Sequence, residues 1–271
     1  VRATSHPTVR ASALTVSLLA LPLGLLVGLV LGALGGGGSV LAVPALIYLL
    51  GQDPVQATTG SLLIVLATSV AGVASHSGAG HVDWRTGVGV GLAGVAGAIG
   101  GSLLAERISR QVLLTGFAIL VLIAAATMWR EAGRSKLRRR RPRSRSLWST
   151  LLRALVVGTL IGVLTGLFGV GGGFVAVPAL VLGLGMDMAL AVGTSLVVIA
   201  INSVASLLVR LGGSLEVQWQ VVLPFAAAGV VGAFIGERGA RKVSNRLLQR
   251  SFAVLLVGLA GFLLAEQFLV R

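Results

Sequence analysis

The sequence predicts an all-α polytopic membrane protein: about eight hydrophobic helices in two inverted repeats, each with a glycine-rich broken or re-entrant segment. Three observations predict it. Of 271 residues, 55% are apolar and only 11% charged, with a mean hydropathy of +0.97; a soluble domain of this size needs far more charge to cover its surface. The apolar runs are long enough to span a bilayer, which takes about 20 residues per helix. And one segment occurs twice: Gly24–Leu46 reads GLLVGLVLGALGGGGSVLAVPAL, and Gly158–Leu180 reads GTLIGVLTGLFGVGGGFVAVPAL.

Residues 1–13 form an N-terminal tail carrying Arg2 and Arg10. The apolar run behind them is long and continues into the recurring glycine motif, so it reads as a retained first helix, not a signal peptide. The first repeat, 14–129, has spans near 14–34, 55–75, 86–105 and 111–129. The second, 151–268, has spans near 151–168, 189–209, 219–236 and 247–265. Two apolar pieces, 39–50 and 174–185, are too short to cross as vertical helices. The repeats align at an offset of 134 through the second span and 135 afterwards, where Trp84 matches Trp219. The match extends to Ile108-Ser109 and Val243-Ser244, ahead of the last helix of each half.

Between the repeats lies a basic linker, 130–150, with Arg130, Arg134, Lys136, Arg138, Arg139, Arg140, Arg141, Arg143 and Arg145. Such a run fits an anionic-lipid or nucleic-acid patch, or a cytoplasmic loop that sets orientation. Its place between repeats and its lack of interleaved aromatics favour the loop, and no nucleic-acid partner is expected. With the linker inside and an odd number of crossings per half, the second half is inverted. The loop 237–246, with Arg238, Arg241, Lys242 and Arg246, then also lies inside, as the positive-inside tendency requires. Arg2 and Arg10 fall outside in this topology, two charges against four.

The breaks carry the chemistry. Gly35-Gly36-Gly37-Gly38-Ser39 and Gly169-Val170-Gly171-Gly172-Gly173 cannot sustain a helix, since each glycine costs about 1 kcal/mol relative to alanine. Unpaired backbone in hydrocarbon is costly, so each break is buried in protein or lines a wet cavity. Pro44 and Pro178 suit a first helical turn, and Gly51 and Gly185 suit a helix end. The pattern predicts short helices at roughly 44–50 and 178–184, each starting at mid-membrane after an extended glycine strand. Free N–H groups at two such starts attract an anion without a side-chain cation. The spaced series Gly24, Gly28, Gly32 and its copy Gly158, Gly162, Gly166 reads instead as close helix packing.

Backbone near Gly37, Gly38, Ser39, Gly171, Gly172 and Gly173 is therefore the predicted solute site. Ser61, Thr194, Ser195 and Asn202 are the candidate side-chain donors. Serine and threonine also bond back to their own helix; Ser61 and Ser195 stand out because they recur and lie beside the breaks. Thr68-Ser69 matches Asn202-Ser203 in register. His76 and Arg210, equivalent positions at the far ends of two spans, are candidate vestibule residues or ordinary snorkelling side chains. All eight acids, Asp53, Asp83, Glu106, Glu131, Asp187, Glu216, Glu237 and Glu266, fall at predicted loops or helix ends, with Asp53 and Asp187 read as caps. A chain without a mid-span carboxylate argues against a cation path. There is no cysteine and only three histidines, so no metal site and no cofactor is expected. No P-loop is present, so the chain itself hydrolyses no nucleotide, and nothing suggests an enzyme.

At the doubled glycine break followed by V-P-A-L, Gly35–Leu46 and Gly169–Leu180, and at A-x-G-T-S-L, Ala191–Leu196, the chain resembles the TauE/SafE family of sulfite-exporter-like membrane permeases. The resemblance covers about 14–268. Half one departs twice, with Ser39 where half two has Gly173, and Thr59-Gly60 where half two has Gly193-Thr194. The resemblance implies a multi-pass plasma-membrane (inner-membrane) permease with two related halves. It also implies small anions as cargo: sulfite, organosulfonates, related oxyanions or carboxylates. The expected mechanism is alternating access, one repeat bundle moving against the other, driven by a proton or electrochemical gradient. Expected partners are the anionic solute and the bilayer, and a homo-oligomer is left open. The rival reading is a non-transporting integral-membrane scaffold or subunit whose basic linker binds anionic lipid or a partner.

Overall fold

The computed structural model describes residues 7–105, 108, 110–134, 147–168, 173–210 and 217–269. Among them there is helix and no strand. In chain order the helices are α1 (Pro7–Leu34), α2 (Ser39–Pro44), α3 (Pro54–Gly78), α4 (Trp84–Ala105), α5 (Arg110–Arg134), α6 (Leu147–Phe168), α7 (Gly173–Ala179), α8 (Met188–Arg210), α9 (Trp219–Ala240) and α10 (Asn245–Leu269). Four of them, α3, α4, α8 and α9, are long and apolar enough to cross a membrane by length and composition. Leu92, Leu208, Leu223 and Val254 stand on outer faces, each at least 60% exposed, an arrangement that suits lipid and not water.

The glycine series explains which helices touch. Along α1, a side chain at Gly24, Gly28 or Gly32 would overlap the backbone of Phe225, Gly229 or Ala233 on α9. Along α6, a side chain at Gly158, Gly162 or Gly166 would overlap the backbone of Val90, Gly94 or Ala98 on α4. The second set is the first set moved through the repeat offset. Small residues every fourth position let two backbones meet, and in lipid that dispersion contact replaces the hydrophobic drive. Both contacts join a helix of one sequence half to a helix of the other.

Two triplets result: α1–α9–α3 and α6–α4–α8. Within each the helices run parallel. Gly60 faces Val222 and Gly229 faces Thr68 along α3 and α9; Gly87, Gly91 and Gly94 face Val197, Ile201 and Asn202 along α4 and α8. The triplets meet where α3 packs on α8. These equivalent helices run antiparallel, since His76 at the end of α3 lies beside Gly193 near the start of α8, while Arg210 at the end of α8 bonds Thr58 and Thr59 near the start of α3.

The first break differs from the expected extended strand. α1 stops at Leu34, Gly35 turns the chain at φ +72°, and Gly35–Gly38 forms one 3₁₀ turn that runs directly into α2. A 3₁₀ turn pairs backbone groups internally, which an extended strand in an apolar interior does not. The short helices also begin earlier than expected, at Ser39 and Gly173, with Pro44 and Pro178 inside them. Each proline lacks an N–H and crowds the preceding turn. The chain widens just after into a π turn, Ala45–Leu49 and Leu180–Leu184. Gly51 (φ +65°) and Gly185 (φ +74°) then end the two segments.

Candidate functional site

Gly36 and Gly173 are in direct backbone contact: a side chain on Gly36 would overlap the carbonyl of Gly173, and a Cβ on Gly173 would come within 2.8 Å of Gly36 oxygen. The first interruption and the start of the second short helix thus meet in the buried interior. Ser39 is fully buried and donates its hydroxyl to the Gly36 carbonyl at 2.7 Å. Gly38 faces Val27 and Leu31 of α1, and Gly37 sits in the 3₁₀ turn between them. Gly171 and Gly172 lie outside the described residues, so the surroundings of the second break are not described. The first is closed by Gly173, Val177, Ser195 and Leu31.

One face of α8 covers this junction. Val192, Ser195, Ile199, Asn202 and Ser206 follow the alternating three- and four-residue spacing of a single helical stripe. A Cβ on Gly35 would lie 2.9 Å from Ser195 Oγ, one on Gly173 2.7 Å from Ile199 Cδ1, and one on Gly94 2.8 Å from Asn202 Oδ1. Ser195 and Asn202 are two turns apart, about 10 Å, and the Gly36–Gly173 contact falls between them. Ser195 donates to the Val192 carbonyl at 2.7 Å. Asn202 is fully buried, and neither its carbonyl nor its amide nitrogen has a partner. A buried amide with no partner is costly, so this one is the most conspicuous polar group of the stripe. Ser203 and Ser206 on α8, and Ser102 on α4, are also unpartnered. Ser206 escaped the sequence reading, although a hydroxyl one turn beyond Asn202 was a visible signal.

The other predicted residues land elsewhere. Thr194 is buried and accepts the backbone N–H of Asp83 at 3.0 Å; it anchors the loop joining α3 to α4. Ser61 is buried on α3 and donates to the Thr58 carbonyl at 2.9 Å; its counterpart glycine, Gly169, lies outside the described residues. His76 is 4% exposed, with Nδ1 3.0 Å from the Gly72 carbonyl oxygen. Arg210 is half-buried and donates to Thr58 Oγ1 and Thr59 Oγ1 at 2.8 and 2.9 Å, close to a chain of amides linking Gln52, Gln218 and Gln56. Neither residue is a bare cation in a vestibule. Asp53 caps α3, accepting from Val55 N at 2.9 Å.

One acid departs from the expectation. Glu237 lies inside α9, because that helix runs to Ala240 instead of stopping at 236, and the residue is 1% exposed. It pairs with Arg241 one turn on and accepts the Ser75 hydroxyl at 2.8 Å. The sequence places it in a loop because charge usually ends a span; its partner on α3 is remote in sequence. Among the described residues no group of histidines and acids is arranged to hold a metal ion. An apolar cleft of about 600 Å³ between α3, α4 and α8, lined by Leu66, Val70, Val95, Ile99, Ile201 and Val204, has no polar lining side chain with which to grip an anion.

The family model described as sulfite exporter TauE/SafE matches residues 20–263. A probable membrane transporter protein of Xylella fastidiosa is 32% identical over 244 residues, covering 89% of this chain and 92% of its own. A probable membrane transporter protein of Bacillus subtilis, YdhB, is 28% identical over 249 residues, 88% of this chain and 96% of that one. One from Methanocaldococcus jannaschii is 25% identical over 258 residues, 90% and 94%. No solved structure matches.

Proposed function

The chain belongs to the sulfite exporter TauE/SafE family, and from that premise we propose that it is a secondary transporter of small anions such as sulfite, organosulfonates or related oxyanions and carboxylates. It is a multi-pass membrane protein and a membrane transporter by family; the cargo and the mechanism are the proposal. The observation that carries it is the contact of Gly36 with Gly173 beneath the Ser195–Asn202 face of α8. The Asn202 amide is free to donate to an oxyanion; in this reading the Ser195 hydroxyl turns to the solute from the Val192 carbonyl, and backbone N–H groups of the break become donors as the contact opens. Backbone of Gly37, Gly38, Gly171 and Gly172 supplies the rest. Glu237, the buried carboxylate among the described residues, is paired with Arg241 and adds no bare negative charge to the interior.

The antiparallel run of α3 and α8 supports an inverted pair of repeats, and such a pair supports alternating access. The moving bodies in this reading are not the two sequence halves. Backbone contact at every fourth residue ties α1 to α9 and α4 to α6 across the halves, so the triplets α1–α9–α3 and α6–α4–α8 move as units. They separate along the α3–α8 seam, and the Gly36–Gly173 contact beside α8 opens with it to admit the anion.

A flux panel in proteoliposomes tests the cargo class: sulfite, sulfoacetate, thiosulfate and short carboxylates, with zwitterionic taurine as the uncharged comparison, with and without a pH gradient. Movement of at least one of these anions, with no movement of small cations, is the expected result. Cation flux with no anion flux overturns the proposal.

A further inference from the structure

We propose that Arg210 is the gate of the anion path: it closes one end of the seam between the triplets by bonding Thr58 and Thr59, and it opens by passing its guanidinium to the oxyanion that enters. The proposal rests on the transporter reading above and adds a second anion site to it, at the mouth of a polar stripe on α8. The contact joins helices of different triplets. Arg210 ends α8 and donates through Nη1 to Thr58 Oγ1 at 2.8 Å and to Thr59 Oγ1 at 2.9 Å, near the start of α3. Both hydroxyls send their own protons to the Val55 carbonyl, at 2.9 and 3.1 Å, so their lone pairs are turned to the guanidinium. Two neutral hydroxyls are weaker partners for it than an oxyanion, which brings charge and a pair of oxygens that match the guanidinium fork. An entering anion can therefore take the place of the threonines.

The stripe behind Arg210 leads to the glycine junction. Asn202, Ser206 and Arg210 are four residues apart and share one face of α8, with Ser203 beside them. Asn202, Ser203 and Ser206 are 0–1% exposed, and none of their side-chain polar atoms has a hydrogen-bond partner. Groups left so in a closed interior are costly; a hydrated anion passing along the open seam satisfies them. Val204 and Leu208, on the opposite face, line the apolar cleft. From Ser195, beside Gly35, to Arg210 is about 22 Å along the helix axis, more than half of a hydrocarbon core roughly 30 Å thick. The equivalent stripe on α3 lacks these donors. Thr68, the counterpart of Asn202, donates to the Ile64 and Val65 carbonyls. Gly72, the counterpart of Ser206, has no side chain and faces Leu196. His76, the counterpart of Arg210, has its Nδ1 on the Gly72 carbonyl. Only Ser69, like its counterpart Ser203, is an unpartnered hydroxyl on this stripe. The seam is therefore polar towards Arg210 and drier towards His76.

The chain has no cysteine, so a single introduced thiol reports alone. Ser206→Cys probes the stripe. Ala125→Cys, 2% exposed on α5 and outside both triplets, is the control. Each is made with the gate intact, with Thr58→Val and Thr59→Val together, and with Arg210→Gln. The whole protein, in proteoliposomes, meets a charged methanethiosulfonate reagent on both membrane faces. Ser206→Cys should react about tenfold faster or more in both open-gate backgrounds, as expected when hydrogen bonds to a charged group are lost. Ala125→Cys should stay unreactive in all three. Arg210→Gln should also raise the KM for sulfite exchange by about tenfold or more, and Arg210→Lys, which keeps the charge without the fork, should raise it less. Equal labelling of Ser206→Cys with the gate intact and open overturns the proposal. Labelling of Ala125→Cys that rises in step reports lost packing in place of a gate and overturns it too, as does an unchanged KM in Arg210→Gln. Labelling needs no cargo, so it decides the gate even where the flux panel finds no anion carried.

Discussion

Asn202→Leu is expected to give a protein that is as stable as wild type or more so, and that carries anions roughly tenfold more slowly or worse. The amide of Asn202 is fully buried with both polar atoms unpartnered. Leaving such a group unsatisfied costs about 1–3 kcal/mol, and leucine has nearly the same branched shape and no polar atom. If Asn202 were only structural, removing it would cost stability or nothing, and flux would follow stability. If it is a donor held ready for the solute, stability rises while flux falls, by roughly tenfold or more for one lost hydrogen bond to a charged group. Thermal unfolding in detergent and sulfite exchange in proteoliposomes, measured on the same preparation, separate the two.

The second large effect lies in the helix contacts. Glycine to alanine in an ordinary helix stabilises by up to about 1 kcal/mol. At Gly28 and Gly162 the sign should reverse. An added methyl at Gly28 overlaps Gly229 backbone, and one at Gly162 overlaps Gly94 backbone. Backbone cannot rotate aside as a side chain can, so the helices must separate, and overpacking of this kind costs about 1–3 kcal/mol or more. Gly89 and Gly100 have nothing within reach of an added methyl, so alanine there should be neutral or slightly stabilising. Unfolding of the four single variants in mixed micelles checks the contrast. Equal effects at Gly28 and Gly89 would mean that the α1–α9 approach is not what holds the triplet together.

Much of this was legible in the chain and some was not, for physical reasons. The doubled glycine series fixes a register, and the spacing of Gly24, Gly28 and Gly32 announces a close contact. It does not say with whom, because the partner positions on α9 lie 201 residues further along the chain, and pairing of distant helices is a property of the whole fold. Glycine reads as a helix breaker, which predicts an extended strand at Gly35–Gly38. The apolar interior overrides that preference, because an internally bonded turn leaves fewer backbone groups unpaired. Pro44 reads as a first-turn residue, yet a π turn behind it absorbs the misfit. Glu237 reads as the start of a loop, and only the arrival of Ser75 and the turn carrying Arg241 allows it to be buried. Ser195 and Asn202 are recognisable as polar residues in an apolar helix; that they bracket the meeting of two glycine segments needs three dimensions.

The account stands on an anion being received where the two interrupted segments meet. Labelled sulfite exchange tests it most directly, in proteoliposomes of wild type, Gly37→Leu, Gly171→Leu, and a chain with Arg138, Arg139, Arg140 and Arg141 replaced by glutamine, each checked by its unfolding temperature. The account predicts exchange by wild type and the linker variant, and none by either folded glycine variant. Exchange kept by both glycine variants and lost with the linker arginines would contradict it.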